Sequence, residues 1–506
     1  METKFTYVLS LLLICLISCK DKNEKTSDTK PTELRESKID DYQIHNVQPA
    51  PFPTLDMAGF QFPQDSVTLN RWIRESRDES IYKHGWGIWA GLLSETNQKI
   101  DGDHKNLRVY ETWMTPREMI EVIKSGKSVN KPLSRSNRAN LSIPHQHLHF
   151  GDDTLKKSNK LSSKLDASKS TLGLGKVNIN IHESVAYSPD ASKFAIDSRI
   201  FMATTLYDLA NKDGYSEIPF FPNSSITIKP VFKVLPISSG ETKFEIAAWS
   251  GTTDELEAYP EGQWGTYVTV DTDSTSVSNG KLRSINEFVH YKLNREDVDY
   301  FKSEWTENDG NPLEVEPGDY VILVGMHVGT REITNWTWQT FWWDANADNP
   351  PLPSSRTIAD MRPDILKGAA RNYAMAVSYY MVNPNENQMD QPITGKPNYA
   401  FNPYLEAGFG PDVFDENRSM LYTKTDTIKT YVGVRTNCMS CHRMASTSPQ
   451  LYKEGTLSIT PYVGDSFVSK RDTVFNEQLL LDFAWSIQGN IDTTGIAAHI
   501  NKTKKD

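Results

Sequence analysis

The sequence predicts an α+β protein, with a β-rich, antiparallel and sandwich-like N-terminal and central region and a small C-terminal domain of helices and loops. Between residues 225 and 343, β-branched and aromatic runs are separated by turn residues, which is typical of antiparallel strands. A proline-rich stretch at residues 348–355 marks a boundary. Beyond it, long Asn/Pro/Gly loops alternate with helical periodicity. We therefore divide the folded part into residues 55–350 and 351–506.

The N-terminus has the features of a secretory signal. An apolar run from residue 7 to residue 17 is too short to span a bilayer, and small Ser18 precedes Cys19. Leu16-Ile17-Ser18-Cys19 resembles the bacterial lipobox, which implies that residues 1–18 are removed and that Cys19 is lipidated. The alternative is an ordinary signal peptide that is cut elsewhere. We expect a protein anchored by lipid in the bacterial envelope, at the outer membrane, facing the periplasm or the cell surface.

Residues 19–54 are polar and charged, and they predict a disordered tether because they offer little apolar surface to bury. The charged residues that directly follow Cys19 resemble the tags of some Bacteroidota lipoproteins that reach the cell surface. The net charge of −11 does not change when residues 1–18 are removed, because Glu2 and Lys4 cancel. This acidic balance argues against binding to nucleic acid. We therefore expect the protein to contact the membrane through the lipid on Cys19.

Two helices can be predicted near the start of the folded region. From Asp65 onward, three apolar residues share one helical face: Leu69, Trp72 and Ile73. Thr115, Pro116 and Glu118 form a helix start with a capping box, and Gly126 is a suitable end. Residues 108–113 between them favour a strand.

Three histidines alternate in a segment at residues 143–150. In an extended chain His145, His147 and His149 project from one face, where they could bind copper or zinc, or one could reach a haem. We favour an exposed polar strand edge, because no carboxylate or thiol lies nearby. Residues 151–176 are rich in Lys, Ser and Asp and predict a solvated insertion.

The central strands are predicted at residues 225–235, 243–249, 265–270, 319–324 and 335–343. A helical stretch running from residue 188 toward residue 209 precedes them. In the last strand, Trp336, Trp338 and Trp342 share a face when the chain is extended. Such a stripe could stack on a sugar or on a haem edge, but we favour core packing.

The C-terminal domain contains Cys438-Met439-Ser440-Cys441-His442, which has the C-x-x-C-H spacing of c-type haem attachment. Two thiols on one helical turn can each form a thioether with a haem vinyl group, and His442 can then bind the iron. A zinc half-site, a redox C-x-x-C and chance are the alternatives. Zinc would need a second pair of ligands, and no other cysteine lies outside the first 19 residues. A redox motif should open a helix in a βαβ unit, and none is evident. We therefore expect one covalent haem c.

The second axial ligand cannot be chosen from the sequence. No methionine follows Met444, which lies too close to His442 to reach the opposite side of the ring, and His499 is the only later histidine. The candidates are therefore upstream residues or an open position. The upstream candidates are Met375, Met381, Met389, Met420 and a more distant histidine, from the group His145, His147, His149 and His327.

Two resemblances extend this interpretation. A helix is predicted at residues 361–380, before the motif, and another at residues 473–487, after it. The order of the attachment helix first and the C-terminal helix last resembles the class I cytochrome c arrangement, although that class has a downstream methionine ligand. A second resemblance, to large bacterial monohaem proteins of the cytochrome c family, is carried by these residues together with the haem motif: Gly85-Trp86 with Trp89, Glu111-Thr112-Trp113, Trp338-Gln339-Thr340-Phe341 and Asn402-Pro403-Tyr404-Leu405. The second resemblance spans most of the mature chain and implies haem binding and electron transfer.

Three functions are consistent with these features. A one-electron carrier, which exchanges electrons with a redox protein or a small molecule, is the one we favour. An open-site haem oxidoreductase, a peroxidase or an oxygenase, would use the β-rich region as a substrate pocket. A surface module that binds polysaccharide and carries a structural or sensory haem is the third. No Ser/His/Asp or paired-carboxylate pattern indicates a hydrolase.

Overall fold

The computed structural model describes residues 47–99, 106–126, 181–212, 216–252, 261–293, 295, 297–298, 315–383, 396–407, 437–453, 467–471 and 473–503. Several sequence predictions lie outside these residues: the lipobox with Cys19, the three histidines His145, His147 and His149, the insertion at 151–176, and Met389 and Met420. Residues 42–506 belong to one compact unit. No helix among the described residues is long and apolar enough to cross a membrane.

The first helices are α1 (Ser66–Arg74), α2 (Asp78–Leu93) and α3 (Pro116–Ser125). The predicted features of α1 and α3 are confirmed: Asp65 caps α1, whose buried face is the predicted one, and Gly126 ends α3 in the left-handed conformation. The expected β-rich N-terminal region is wrong for residues 47–126, which are mainly helical. The strand predicted at 108–113 is a 3-10 turn, Val109–Thr112, because the Glu111 carboxylate binds back to the backbone of Arg108 at 2.7 Å.

Part of the predicted tether is ordered. Val47 is buried against Leu107, and the carbonyl of Ala50 accepts a hydrogen bond of 2.8 Å from the indole of Trp113. The Phe52 ring lies over Gly91 of α2, where a Cβ atom would come within 2.0 Å of it. The described chain therefore begins to pack before residue 55.

The central region is rich in antiparallel strands, as expected. Two short helices, α4 (Pro189–Asp197) and α5 (Ala203–Ala210), lie within the predicted helical stretch. The strands are β1 (His182–Glu183), β2 (Ala186–Tyr187), β3 (Ile226–Leu235), β4 (Lys243–Ala247), β5 (Tyr267–Asp271), β6 (Leu282–Ser284), β7 (His290–Lys292), β8 (Tyr320–Thr330) and β9 (Thr337–Trp343).

The C-terminal region differs from its predicted helices. Its elements are α6 (Arg356–Asp360), β10 (Tyr373–Ser378), β11 (Val382–Asn383), β12 (Lys396–Pro397), α7 (Pro403–Glu406), α8 (Cys438–Arg443), β13 (Ser446–Thr447), β14 (Leu479–Leu480), α9 (Trp485–Gln488) and α10 (Ile496–Thr503). The helix predicted at 361–380 is wrong, because β10 pairs along its whole length with β9. The helix predicted at 473–487 is also wrong, since a strand and a turn precede the short α9.

Within the described part of the chain, the main sheet has seven strands. Its order is β1-β3-β8-β9-β10, with β2 also on β3 and β7 also on β8, and every pair is antiparallel. A second sheet contains β4, β5 and β6. The domain boundary predicted between residues 350 and 351 falls between β9 and β10, two neighbouring strands of the main sheet.

The two faces of the main sheet pack against different parts of the chain. Directly paired residues of antiparallel strands share a face. Phe341 and Met375 are paired, and both pack against α2, where Trp89 stacks on Phe341 and Met375 meets Gly85. We call this side the α2 face. The opposite side, which we call the motif face, carries these paired residues: Lys229, His327, Trp338, Thr340, Ala376 and Ser378.

Candidate functional site

The motif helix α8 is fixed to the motif face by its N-cap, Asn437. The Oδ1 atom of this buried side chain accepts hydrogen bonds from the Ser440 N–H (3.0 Å) and the Ser378 hydroxyl (2.8 Å). Its Nδ2 atom donates to the carbonyls of Met381 (3.1 Å) and Asn398 (3.2 Å). One residue therefore caps the helix and sets its position against the end of β10.

The two motif thiols lie on one turn of α8, and no disulfide joins them. Burial raises the pKa of the Cys438 thiol well above its usual value, and the Glu406 carboxylate adds to this effect. The same two causes raise the pKa of Cys441 to about 12. Catalytic and redox cysteines instead have a lowered pKa, because the thiolate is the reactive form. These thiols lack the electrostatic surroundings of a redox C-x-x-C site.

His442 has a defined orientation and tautomer. Its Nδ1 atom lies 2.8 Å from the carbonyl oxygen of Phe483. A carbonyl only accepts, so Nδ1 is the nitrogen that carries the proton and Nε2 carries the lone pair. A hydrogen bond from the other ring nitrogen to a carbonyl is the usual support of a metal-binding histidine. Nε2 is the nitrogen that would bind iron.

Trp338 supports the imidazole from below. The two rings are stacked, with their centroids 3.8 Å apart and their planes at 27°. The indole in turn lies over Gly329 of β8, where a Cβ atom would come within 2.7 Å of the ring. Trp336, Trp338 and Trp342 are all buried, so the prediction of core packing is confirmed. The Trp338 ring therefore lies between His442 and β8 and fixes the distance of the imidazole from the sheet.

Residues 479–488, which we call the clasp, hold the other side of the motif. The Leu481 N–H donates to the Ala445 carbonyl (2.9 Å), the Trp485 indole to the Cys441 carbonyl (3.0 Å) and the Gln488 amide to the Ser446 carbonyl (2.7 Å). In an α-helix the Phe483 carbonyl would accept from the backbone four residues later. The clasp is not helical there, and this carbonyl accepts from His442 instead.

A histidine–carboxylate pair is formed by His327, on the motif face, and Glu406. The Nε2 atom of His327 lies 2.5 Å from Oε1 of Glu406, whose other oxygen accepts from the Asn402 N–H at 2.5 Å. Asn402 donates to the Thr340 hydroxyl and the Phe341 carbonyl, both at 2.9 Å, which fixes α7 on the sheet. The negative charge of Glu406 contributes to the raised pKa of both motif thiols.

The other axial-ligand candidates are placed as follows. Met375 is on the α2 face, so the sheet separates it from His442, and it is ruled out as the ligand in this fold. Met381 is buried beside Asn437, and its sulfur accepts from the Val468 N–H at 3.5 Å. His499 lies in α10 and pairs with Asp208 at 2.6 Å.

The donor set fits covalent attachment of a haem. Two thiols on one helical turn precede a histidine whose Nε2 lone pair is set by its Nδ1 contact. Within the described residues, no three His, Cys, Asp or Glu side chains converge to hold a free metal ion. The sequence showed the three motif residues but did not single out Asn437, although an asparagine directly before a helical turn is a common N-cap. The Phe483 carbonyl is a backbone group, and no sequence signal could have identified it.

Comparison with known proteins adds no family assignment. No family model, no curated protein and no solved structure matches this chain.

Proposed function

We propose that this protein binds one haem c through Cys438 and Cys441, with His442 as the proximal iron ligand, and acts as a one-electron carrier. The observation that carries the proposal is the Nδ1 contact of His442 with Phe483, in a C-x-x-C-H motif whose two thiols have a raised pKa. Haem supplies reversible one-electron chemistry when it is bound.

The residues of the chain have distinct roles in this proposal. Cys438 and Cys441 fix the group on α8, and Asn437 fixes α8 on the sheet. Trp338 and the Phe483 carbonyl hold the His442 ring from two sides. Rigid ligation of this kind limits the rearrangement that accompanies a change of charge, as an electron carrier requires. His442 and Cys441 are partly exposed, so a redox partner would approach on this side.

The resemblance to monohaem bacterial proteins of the cytochrome c family is part of this proposal, as is a cytochrome c-like C-terminal haem domain at residues 351–506. So is the cellular location. We propose that lipid on Cys19 anchors the chain in the envelope, at the outer membrane. Replacing Cys19 by Ser should abolish labelling with radioactive palmitate, whereas Cys15→Ser, inside the removed segment, should be labelled normally. Equal labelling of both variants would contradict the lipobox.

One observation favours a second candidate, an open-site haem oxidoreductase. The nitrogens of an imidazole point to opposite sides of the ring, so Nε2 of His442 points away from the clasp. His327 lies on the same face of the sheet as Trp338 and pairs with Glu406, and a histidine and a carboxylate could transfer protons to a bound small molecule. Low-spin iron that resists carbon monoxide would support the carrier. High-spin iron that binds carbon monoxide quickly would support the oxidoreductase.

The central test is covalent attachment. Purified, denatured protein should keep its haem through acid–acetone extraction and give a c-type pyridine haemochrome spectrum. Cys441→Ala should lose most of the haem, whereas Met439→Leu, which preserves C-x-x-C-H, should retain it. Clean extraction of haem from the unaltered protein would refute the proposal.

A further inference from the structure

The clasp contains an unusual backbone conformation next to the motif histidine. Asp482 and Phe483 are consecutive and both have positive φ angles, +43° and +68°. For a residue other than glycine the left-handed region is strained, and Asp tolerates it better than Phe does. Two such residues in a row persist only where the surroundings hold them. They reverse the chain so that the Phe483 carbonyl faces His442.

The group that holds this conformation is the buried carboxylate of Asp482. Its Oδ2 atom accepts hydrogen bonds from the Phe221 N–H (3.0 Å) and from Nε of Arg331 (3.1 Å). Arg331 is fixed in its turn, because its Nη1 atom donates to the Ile333 carbonyl at 2.9 Å. Asp482 thus connects the clasp to Phe221 and to Arg331, which directly follows β8.

The next residue is held from the motif side. The Arg443 guanidinium lies 4.4 Å from the centre of the Phe483 ring, and the Nη2 atom of Arg443 donates to Asn335 Oδ1 at 2.7 Å. Arg443 directly follows His442 in α8. The Phe483 carbonyl is therefore fixed by Asp482 on one side and by the motif helix on the other.

We infer that Asp482 is a positioning residue for the iron ligand His442, acting through the Phe483 carbonyl. This inference rests on the proposed haem function. The Nδ1–H to carbonyl bond increases the basicity of the ligand and favours ferric iron. Without the ion pair to Arg331, the left-handed pair relaxes, the carbonyl turns away and the imidazole becomes a weaker donor.

The experiment compares the full-length, haem-loaded protein with Asp482→Ala and Asp482→Asn. Loss of a partner of this kind changes metal affinity by about 10–100-fold. We expect Asp482→Ala to shift the ferric–ferrous balance about tenfold toward ferrous iron, a rise in midpoint potential of about 59 mV. Asp482→Asn tolerates the left-handed conformation and keeps one acceptor, so its shift should have the same sign and be smaller.

A matched control separates positioning from general stability. Asp344 is also a buried aspartate, and it lies at the far end of β9 from Trp338. Asp344→Asn should leave the potential unchanged. Midpoint potentials of both Asp482 variants that equal that of the unaltered protein would overturn the inference, and Asp482→Asn alone decides it if Asp482→Ala does not fold.

A second readout does not need haem. In the haem-free chain, labelled with ¹⁵N-histidine, the nuclear magnetic resonance signal of His442 should show a protonated, hydrogen-bonded Nδ1. Asp482→Ala should convert it to a mixture of tautomers. An unchanged signal would overturn the inference even if the unaltered protein carried no covalent haem, so failure of the proposed function can be told apart from failure of this step.

Discussion

The two faces of the main sheet are built by different means. On the α2 face, large apolar side chains fill the space: the Trp89 ring stacks on Phe341 with centroids 4.4 Å apart and planes at 17°. On the motif face, Gly329 leaves room for the Trp338 ring, which stacks on His442. Polar contacts from Asn437 and from the clasp hold α8 there. The comparison indicates that the α2 face supplies stability, whereas the motif face supplies position.

The first prediction concerns the α2 face, where a substitution should have the largest effect on the free energy of unfolding. Trp89 is fully buried, and its indole donates to the Ala370 carbonyl at 3.1 Å. Trp89→Ala should lower the free energy of unfolding by about 3–5 kcal/mol, since it leaves a cavity. Urea denaturation should show this as a lower midpoint. The folded variant should keep the midpoint potential of the unaltered protein, whereas Trp338→Phe should alter the potential. A changed potential in Trp89→Ala would show that the faces are coupled.

The second prediction concerns Asp344, away from the motif. Burial raises the pKa of its carboxyl from 3.8 to about 6, against the hydrogen bonds from Asn346 and Trp342. The folded state then binds more protons than the unfolded state between pH 4 and pH 6. Stability from this group therefore falls as pH rises through that window, and the penalty is complete above about pH 6.

The size of this effect follows from the pKa difference. At about 1.4 kcal/mol per pKa unit, the penalty approaches about 3 kcal/mol at neutral pH. Asp344→Asn should remove most of the loss, so the free energy of unfolding measured by urea at pH 4 and pH 7 should differ less than in the unaltered protein. The same pH dependence in both proteins would show that another group is responsible.

The same contrast explains what the sequence could predict. Periodicity and caps identified α1, α3 and strands such as β3, because apolar spacing and local capping are encoded in neighbouring residues. The C-x-x-C-H motif was visible for the same reason. The clasp was predicted as a helix from its apolar spacing. Its left-handed residues depend on Arg331, which is distant in the sequence, so tertiary contacts override the local preference.

The α2 face and the motif face can also be compared through one glycine on each side. An alanine at Gly329 would bring Cβ within 2.7 Å of the Trp338 ring, which is confined between the sheet and His442. At Gly85 the near atom is the Met375 sulfur, at 2.8 Å, on a flexible side chain that can move. Gly329→Ala should destabilise by about 1–3 kcal/mol, as overpacking does, and should shift the haem absorption spectrum.

Gly85→Ala is the control for this prediction. It should be close to neutral in thermal unfolding, because alanine also favours the helix α2. Its haem spectrum should match that of the unaltered protein. If Gly329→Ala were as mild as Gly85→Ala by both measurements, Trp338 would not be setting the height of His442.

The smallest predicted change in the free energy of unfolding comes from a comparison of two helix N-caps. Asp65 is an exposed cap of α1 whose carboxylate accepts a hydrogen bond from the Thr68 backbone at 2.9 Å, whereas Asn437 is buried and binds four groups. Asn437→Ala should lower the free energy of unfolding by about 1–2 kcal/mol, more than Asp65→Ala does.

Asn437→Asp should separate the two roles of this side chain. It retains the acceptor for Ser440 and so preserves α8, but it loses the donors to Met381 and Asn398, and the haem should become more mobile. Chemical denaturation and the width of the haem methyl resonances would measure these two consequences. Equal effects of Asn437→Ala and Asp65→Ala would mean that Asn437 is only a helix cap and that the sheet does not position the motif through it.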